Sequence, residues 1–126
     1  MKKIEEAQDI LRSIGLPARQ YNDSAALTFL ALGNIKEEDS WADAKAVRLR
    51  IHDIIIFISK YYNISYAENT RETIRRQVIH QFEQARVVDK NPDDSTLSTN
   101  SPRSHYALTE EMLNLIRSYQ AVPNPT

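Results

Sequence analysis

The chain contains no cysteine and only two glycines in 126 residues. Without thiols there is no disulfide framework and no thiolate metal site, which excludes stapled secreted scaffolds and fits a reducing cytoplasm. The scarcity of glycine leaves no glycine-rich phosphate loop. No apolar run is long enough to cross a bilayer, so no membrane contact is expected. Met1, Lys2, Lys3, Ile4, Glu5 and Glu6 place acids where a signal peptide needs its apolar core, so secretion is not expected either. Excess charge is also missing: 16 Lys and Arg stand against 17 Asp and Glu, for a net charge of −1. Proteins that coat nucleic acid nonspecifically are usually strongly basic. Grouped catalytic residues are absent too. His52, His80 and His105 lie in separate segments without metal-ligand spacing. No Ser/His/Asp grouping is visible. Pro92, Asp93 and Asp94 suggest the start of a Mg²⁺-nuclease carboxylate motif, but no Asp/Glu-x-Lys follows and their turn-forming neighbours explain them. No catalytic residue, metal ligand or cofactor is expected within this chain.

What is present is mostly helical periodicity. The length suits one domain, and a hydrophobic content of 41% allows a modest core. Ile4, Ala7, Ile10, Leu11 and Ile14 repeat at helical spacing until Gly15 and Pro17. A second helix starts near Asn22 or Asp23 and carries Ala26, Leu27, Leu30 and Ala31 to Gly33. A third segment starts near Ser40, before Trp41. A fourth helix runs from about Leu49 to Tyr62. Ile54 to Ile58 could form a buried strand, but Ile51, Ile54, Ile55, Ile58 and Tyr62 extend the pattern beyond strand length. Apolar on more than one side, this helix is expected to be central. A last helix, Thr109 to Tyr119, is capped by Thr109 and has Glu110 and Glu111 in its first turn. Trp41, Tyr61, Tyr62 and Tyr66 are expected to close the core rather than stack on bases. There are no internal repeats.

The most informative stretch is Asn69 to Phe82. Ile74, Val78, Phe82 and Ala85 share one side of a helix. At about 100° per residue, Asn69, Thr73, Arg76, His80 and Glu83 share the other. Arg71 and Arg75 lie nearer the apolar edge. Asn69 is placed to cap the helix, with Glu72 completing a loose capping box. The stretch carries three arginines against one glutamate, a small cationic face on a neutral body. The bland alternative is a solvated ion pair between Glu72 and Arg76, spaced i, i+4.

Next come Val87 and Val88, a short strand signal. A polar loop follows from Asn91 to Pro102, then a returning strand at His105, Tyr106, Ala107 and Leu108. Helix, strand, long loop, strand is the order of a winged helix, although an ordinary hairpin beside an ordinary helix reads the same. With the preceding helix and a turn around Asn63 to Glu68, the helix Thr70 to Ala85 forms a helix-turn-helix pair. The expected fold is therefore mainly α: a winged helix-turn-helix with extra amino-terminal helices and a small β-hairpin wing over residues 1–120. Residues 121–126 have linker character.

These pieces resemble the amino-terminal helix-turn-helix domain of the BsuBI/PstI family of type II restriction endonucleases. The matching runs are Asn69 to Gln77, His80 to Phe82, Asn91 to Asp94 and Asn100 to Pro102. Gly15 to Pro17, Ser24 to Leu27 and Asp39 to Trp41 match upstream, so the resemblance covers nearly the whole chain. It departs at the carboxyl end, where members carry a second, nuclease domain and this sequence ends at Thr126. The resemblance implies sequence-specific recognition of double-stranded DNA at a palindrome, CTGCAG in the best-known members, and hence a possible homodimer. It also implies a carboxy-terminal nuclease domain as partner, and Mg²⁺ in the full-length enzyme. Asn69, Thr73, Arg76, Gln77 and His80 are the expected base-edge contacts, Arg reading guanine and Asn or Gln reading adenine. Thr70, Arg71, Arg75, Lys90 and Arg103 are the expected phosphate contacts. Two rivals stay open: a stand-alone winged-helix transcription regulator, and a winged helix used for protein docking.

Overall fold

A computed structural model of the chain describes residues 2–67, 69–91 and 103–119. Helix α1, Lys2–Ser13, buries Ala7, Ile10 and Leu11. It ends where Gly15 takes a φ of +97°, a backbone state that costs a residue without Cβ nothing. The Leu16 amide then closes back on the Leu11 carbonyl at 3.3 Å. A 3₁₀ turn, Ala18–Gln20, leads to helix α2, Asp23–Leu32, whose N-cap is Asn22: its side chain accepts from the Ala25 amide, at 2.9 Å. The helix thus starts where the sequence places it.

Helix α2 is the central element. Every residue from Ala25 to Leu32 is buried. Ala25, Ala26 and Ala31 let neighbouring backbones approach closely, so α2 is covered on all sides. Each fully buried Leu or Phe of this helix contributes about 1.5–3 kcal/mol of transfer free energy. The helix expected to be central, α3 at Ile51–Tyr62, is not. It buries Ile54, Phe57, Ile58 and Tyr62 but leaves Ile56 49% and Tyr61 37% exposed. Its apolar run is wider than the surface that α2 offers it.

The segment expected near Ser40 is a 3₁₀ turn only, Trp41–Asp43, capped by the Ser40 hydroxyl. Trp41 is buried, and its indole N–H donates to Glu6 Oε1 at 3.3 Å. Tyr62 is buried with its hydroxyl on the Ile35 carbonyl at 2.7 Å. Trp41 and Tyr62 thus belong to the core, Tyr66 is half-buried and Tyr61 is exposed. Tyr61 instead lies under the ammonium groups of Lys36 and Lys60, 4.9 and 5.2 Å from its ring centre.

Helix α4 follows over residues 70–84. It joins an α segment, Thr70–Thr73, a π segment, Ile74–Ile79, and an α segment, His80–Gln84. Strands β1, Val88–Lys90, and β2, Tyr106–Leu108, pair antiparallel, with Val88 opposite Leu108 and Lys90 opposite Tyr106. Leu49 adds a third, bridge-like position, exchanging backbone hydrogen bonds with Tyr106 at 2.9 and 2.8 Å. Asn91, buried at the end of β1, accepts the His105 amide on its side chain at 2.9 Å and so closes the base of the hairpin. Helix α5, Glu110–Arg117, starts on Thr109, whose hydroxyl accepts from the Met112 amide. The fold is a mainly α winged helix-turn-helix. The loop tip at 92–102, with Asp93 and Asp94, and the tail at 120–126 lie outside the described residues.

Candidate nucleic-acid interface

The π segment decides which side chains α4 presents. Its buried residues are Ile74, Val78 and Ile79, followed by Phe82. In a regular α-helix Ile79 would fall about 140° from Ile74. Here the His80 amide bonds to the Arg75 carbonyl, five residues back. The wider turn returns Ile79 to the side of Ile74. Taking one residue out between Ile74 and Val78 would put Ile74, Val78, Ile79 and Phe82 at i, i+3, i+4 and i+7, an ordinary amphipathic α pattern. The segment Arg75–Arg76–Gln77 therefore holds one residue more than the core needs, and that surplus is displayed outward. One sequence expectation changes with it. Ala85 is exposed rather than part of the stripe, and Ile79 is 1% exposed in its place.

The predicted helix cap is also corrected. Asn69 has φ −68° and ψ −11° and makes no side-chain cap hydrogen bond. With helical backbone angles its side chain cannot fold over the first turn to reach an amide. Glu72 turns the other way. Its carboxylate accepts Arg75 Nη2 at 2.7 Å on both oxygens and Arg76 Nε at 2.8 Å. The hydrogen bond from Arg75 is the largest influence holding the Glu72 pKa below its ordinary value, with the nearby charges of Arg75 and Arg76 adding to it. The i, i+4 ion pair is therefore real, but it engages Arg76 through Nε. The Arg76 side chain is otherwise 77% exposed.

Of the expected base contacts, Asn69, Thr73, Arg76, Gln77 and His80 are all exposed. Of the expected phosphate contacts, Arg71 and Arg103 are exposed, and Thr70, Arg75 and Lys90 are half-buried. An open cleft of about 300 Å³ brings Arg75, Arg76 and His80 of α4 together with Lys90 of β1, over a floor of Ile79 and Tyr106. Tyr106 is buried, and that burial raises its pKa. Glu83 also lines this cleft. It is an acid that opposes phosphate there but can accept from a cytosine amino group. Arg71 stands apart, its guanidinium donating to His52 Nδ1 of α3 at 2.6 Å. Asn69, Thr70, Thr73 and Arg103 do not line the cleft.

A second hollow lies on the other side of Arg76. It is lined by Arg76, Gln77 and Gln81 of α4 and by Arg19 and Gln20 of the turn after α1. The Gln20 amide group donates to Gln81 Oε1 at 3.0 Å across 61 residues of sequence. Nothing in the local sequence marks Arg19 or Gln20, because their neighbour on α4 is set by how α2 packs.

The description "BsuBI/PstI restriction endonuclease HTH domain" matches residues 1–123. The chain is 39% identical over 116 residues to the type II restriction enzyme BsuBI of Bacillus subtilis, covering 92% of this chain and 37% of that enzyme. It is 27% identical over 120 residues to the type II restriction enzyme AplI of Arthrospira platensis, covering 95% and 37% respectively. Its fold superposes on the structure of SdaI restriction endonuclease with a TM-score of 0.88 at 34% identity, covering 92% of this chain and 36% of that one. The chain thus spans little more than a third of each of these relatives.

Proposed function

The chain belongs to the BsuBI/PstI restriction endonuclease HTH domain family, and on that premise we propose that it is the part of a type II restriction enzyme that reads double-stranded DNA. Helix α4 lies in the major groove. Asn69, Thr73, Arg76, Gln77 and His80 face base edges, and Thr70, Arg71, Arg75, Lys90 and Arg103 hold phosphates. The observation that carries this reading is the cleft where Arg75, Arg76 and His80 meet Lys90. One helix face and the root of the wing there present three cationic side chains to a single concavity on a chain of near-neutral charge. That localised charge suits a sequence reader better than a general clamp.

The target is a short palindrome of the CTGCAG type, read by two chains related by a two-fold axis. The cutting chemistry belongs to a carboxy-terminal nuclease domain that uses Mg²⁺. Among the described residues no group of three or more His, Cys, Asp or Glu could hold a metal ion. The test is selection from randomised duplexes with the purified 126-residue chain. Enrichment of one short palindrome is expected. Equal retention of all duplexes would overturn sequence reading, and no retention at all would favour protein docking.

A further inference from the structure

We propose that the turn between α1 and α2 is a second DNA-contacting element, in which Arg19 holds a phosphate on the groove rim opposite the wing. The proposal rests on the DNA-reading role of α4. A helix seated in the major groove, about 12 Å wide, has a sugar–phosphate backbone on each side of it. The wing side supplies Arg75 and Lys90. On the far side of Arg76, the hollow shared by Arg76, Gln77 and Gln81 is completed by Arg19 and Gln20. Arg19 is exposed, and its guanidinium makes no hydrogen bond or ion pair among the described residues. Arg75 and Arg76, by contrast, are held by Glu72.

Arg19 is carried on a well-held support. Leu16 before it is buried, and Tyr21 after it packs on the core. The Gln20 amide donates to the Pro17 carbonyl at 2.8 Å, and the Tyr21 amide to the Ala18 carbonyl at 3.2 Å. Asn22 Nδ2 donates to the Arg19 carbonyl at 3.3 Å. The Gln20–Gln81 hydrogen bond ties the turn to α4 itself. A cation with no partner among the described residues, on a turn braced against the reading helix, is arranged for an anion that arrives with the groove. Because the anion is a phosphate, Arg19 adds affinity without sequence preference.

The experiment titrates the full chain and its Arg19→Ala and Arg19→Lys variants against the selected duplex and a scrambled one at several salt concentrations. Arg12→Ala, at an exposed arginine on α1 outside both hollows, serves as control. Arg19→Ala is expected to make the slope of log affinity against log salt shallower by about 0.9, which is about eightfold weaker binding at 0.1 M if the contribution vanishes near 1 M. The loss should be equal on both duplexes, with Arg19→Lys restoring most of it. An unchanged slope for Arg19→Ala, in a background where the unmodified chain binds normally, would overturn the Arg19 assignment and leave the role of α4 intact. A loss confined to the selected duplex would overturn the phosphate assignment in favour of a base contact. Failure of the unmodified chain to bind any duplex would instead sink the premise.

Discussion

Arg76 is the residue on which both hollows converge, and the way it is held shapes what it can read. Glu72 engages it through Nε on a side chain that stays 77% exposed, and a bidentate contact to guanine needs the two terminal nitrogens. Arg76→Ala should cost about 1–3 kcal/mol on the selected duplex and far less on a scrambled one. Arg71→Ala and Lys90→Ala should weaken both duplexes alike. Equal losses for Arg76→Ala, measured by fluorescence anisotropy, would make it a phosphate contact. Glu72 is open to a separate check. Its folded pKa is depressed relative to the ordinary glutamate value of 4.5, chiefly by the Arg75 hydrogen bond. The clamp on the two arginines is therefore intact above that value and is lost as pH falls through the lower folded one. A carbon-detected NMR titration should place the Glu72 midpoint below those of the solvated glutamates. A midpoint among them would mean that the clamp does not persist in solution.

At the scale of the element, the π segment is the feature with the clearest consequence. Because the core pattern becomes regular when one residue leaves the stretch 75–77, deleting Gln77 should convert α4 to a continuous α-helix that keeps Ile74, Val78, Ile79 and Phe82 inward. The variant should fold cooperatively, with helical circular dichroism retained. Discrimination between selected and scrambled duplexes should fall by about 1–3 kcal/mol, the worth of one good base contact. Gln77→Ala separates the side chain from the winding: it keeps the π turn and removes only the amide. Full discrimination in the deletion variant would show that the wider turn has no part in reading.

At the scale of the whole molecule, the near-neutral charge sets the salt response. Arg71, Arg75, Lys90 and Arg103 predict a slope of log affinity against log salt of about −3 to −4 per chain, shallow for a DNA binder; Arg19 would steepen it by about one more phosphate. A slope near zero, by titration across salt, would count against phosphate contact altogether. If cutting belongs to a carboxy-terminal nuclease domain, as proposed, the chain by itself should not cut DNA. Site-specific linear products from plasmid, Mg²⁺ and the purified chain, absent without it, would contradict that.

Much of this was open to reading from the residues alone, where the interactions are local. Helix periodicity, the start of α2 near Asn22 and Asp23, the Thr109 cap, the stop at Gly15 and the strands around Val88 and Tyr106 all depend on neighbours a few positions away, and the structure has them where the spacing places them. The exposed positions of Asn69, Thr73, Arg76 and His80 followed from the same periodicity, whereas Glu83, placed on that face as well, is half-buried. What the tertiary structure decided is everything that depends on a partner distant in sequence. Helix α2, not α3, became the centre, because its alanines admit close neighbours on every side while α3 has more apolar surface than α2 can cover. The π turn arose because Ile79 is worth burying against the core, a gain no helical wheel at fixed angle contains. The Asn69 cap failed because the chain entered α4 already in helical angles. Arg19 lies beside Arg76, Gln77 and Gln81 only because packing brought a turn 56 to 62 residues upstream alongside them.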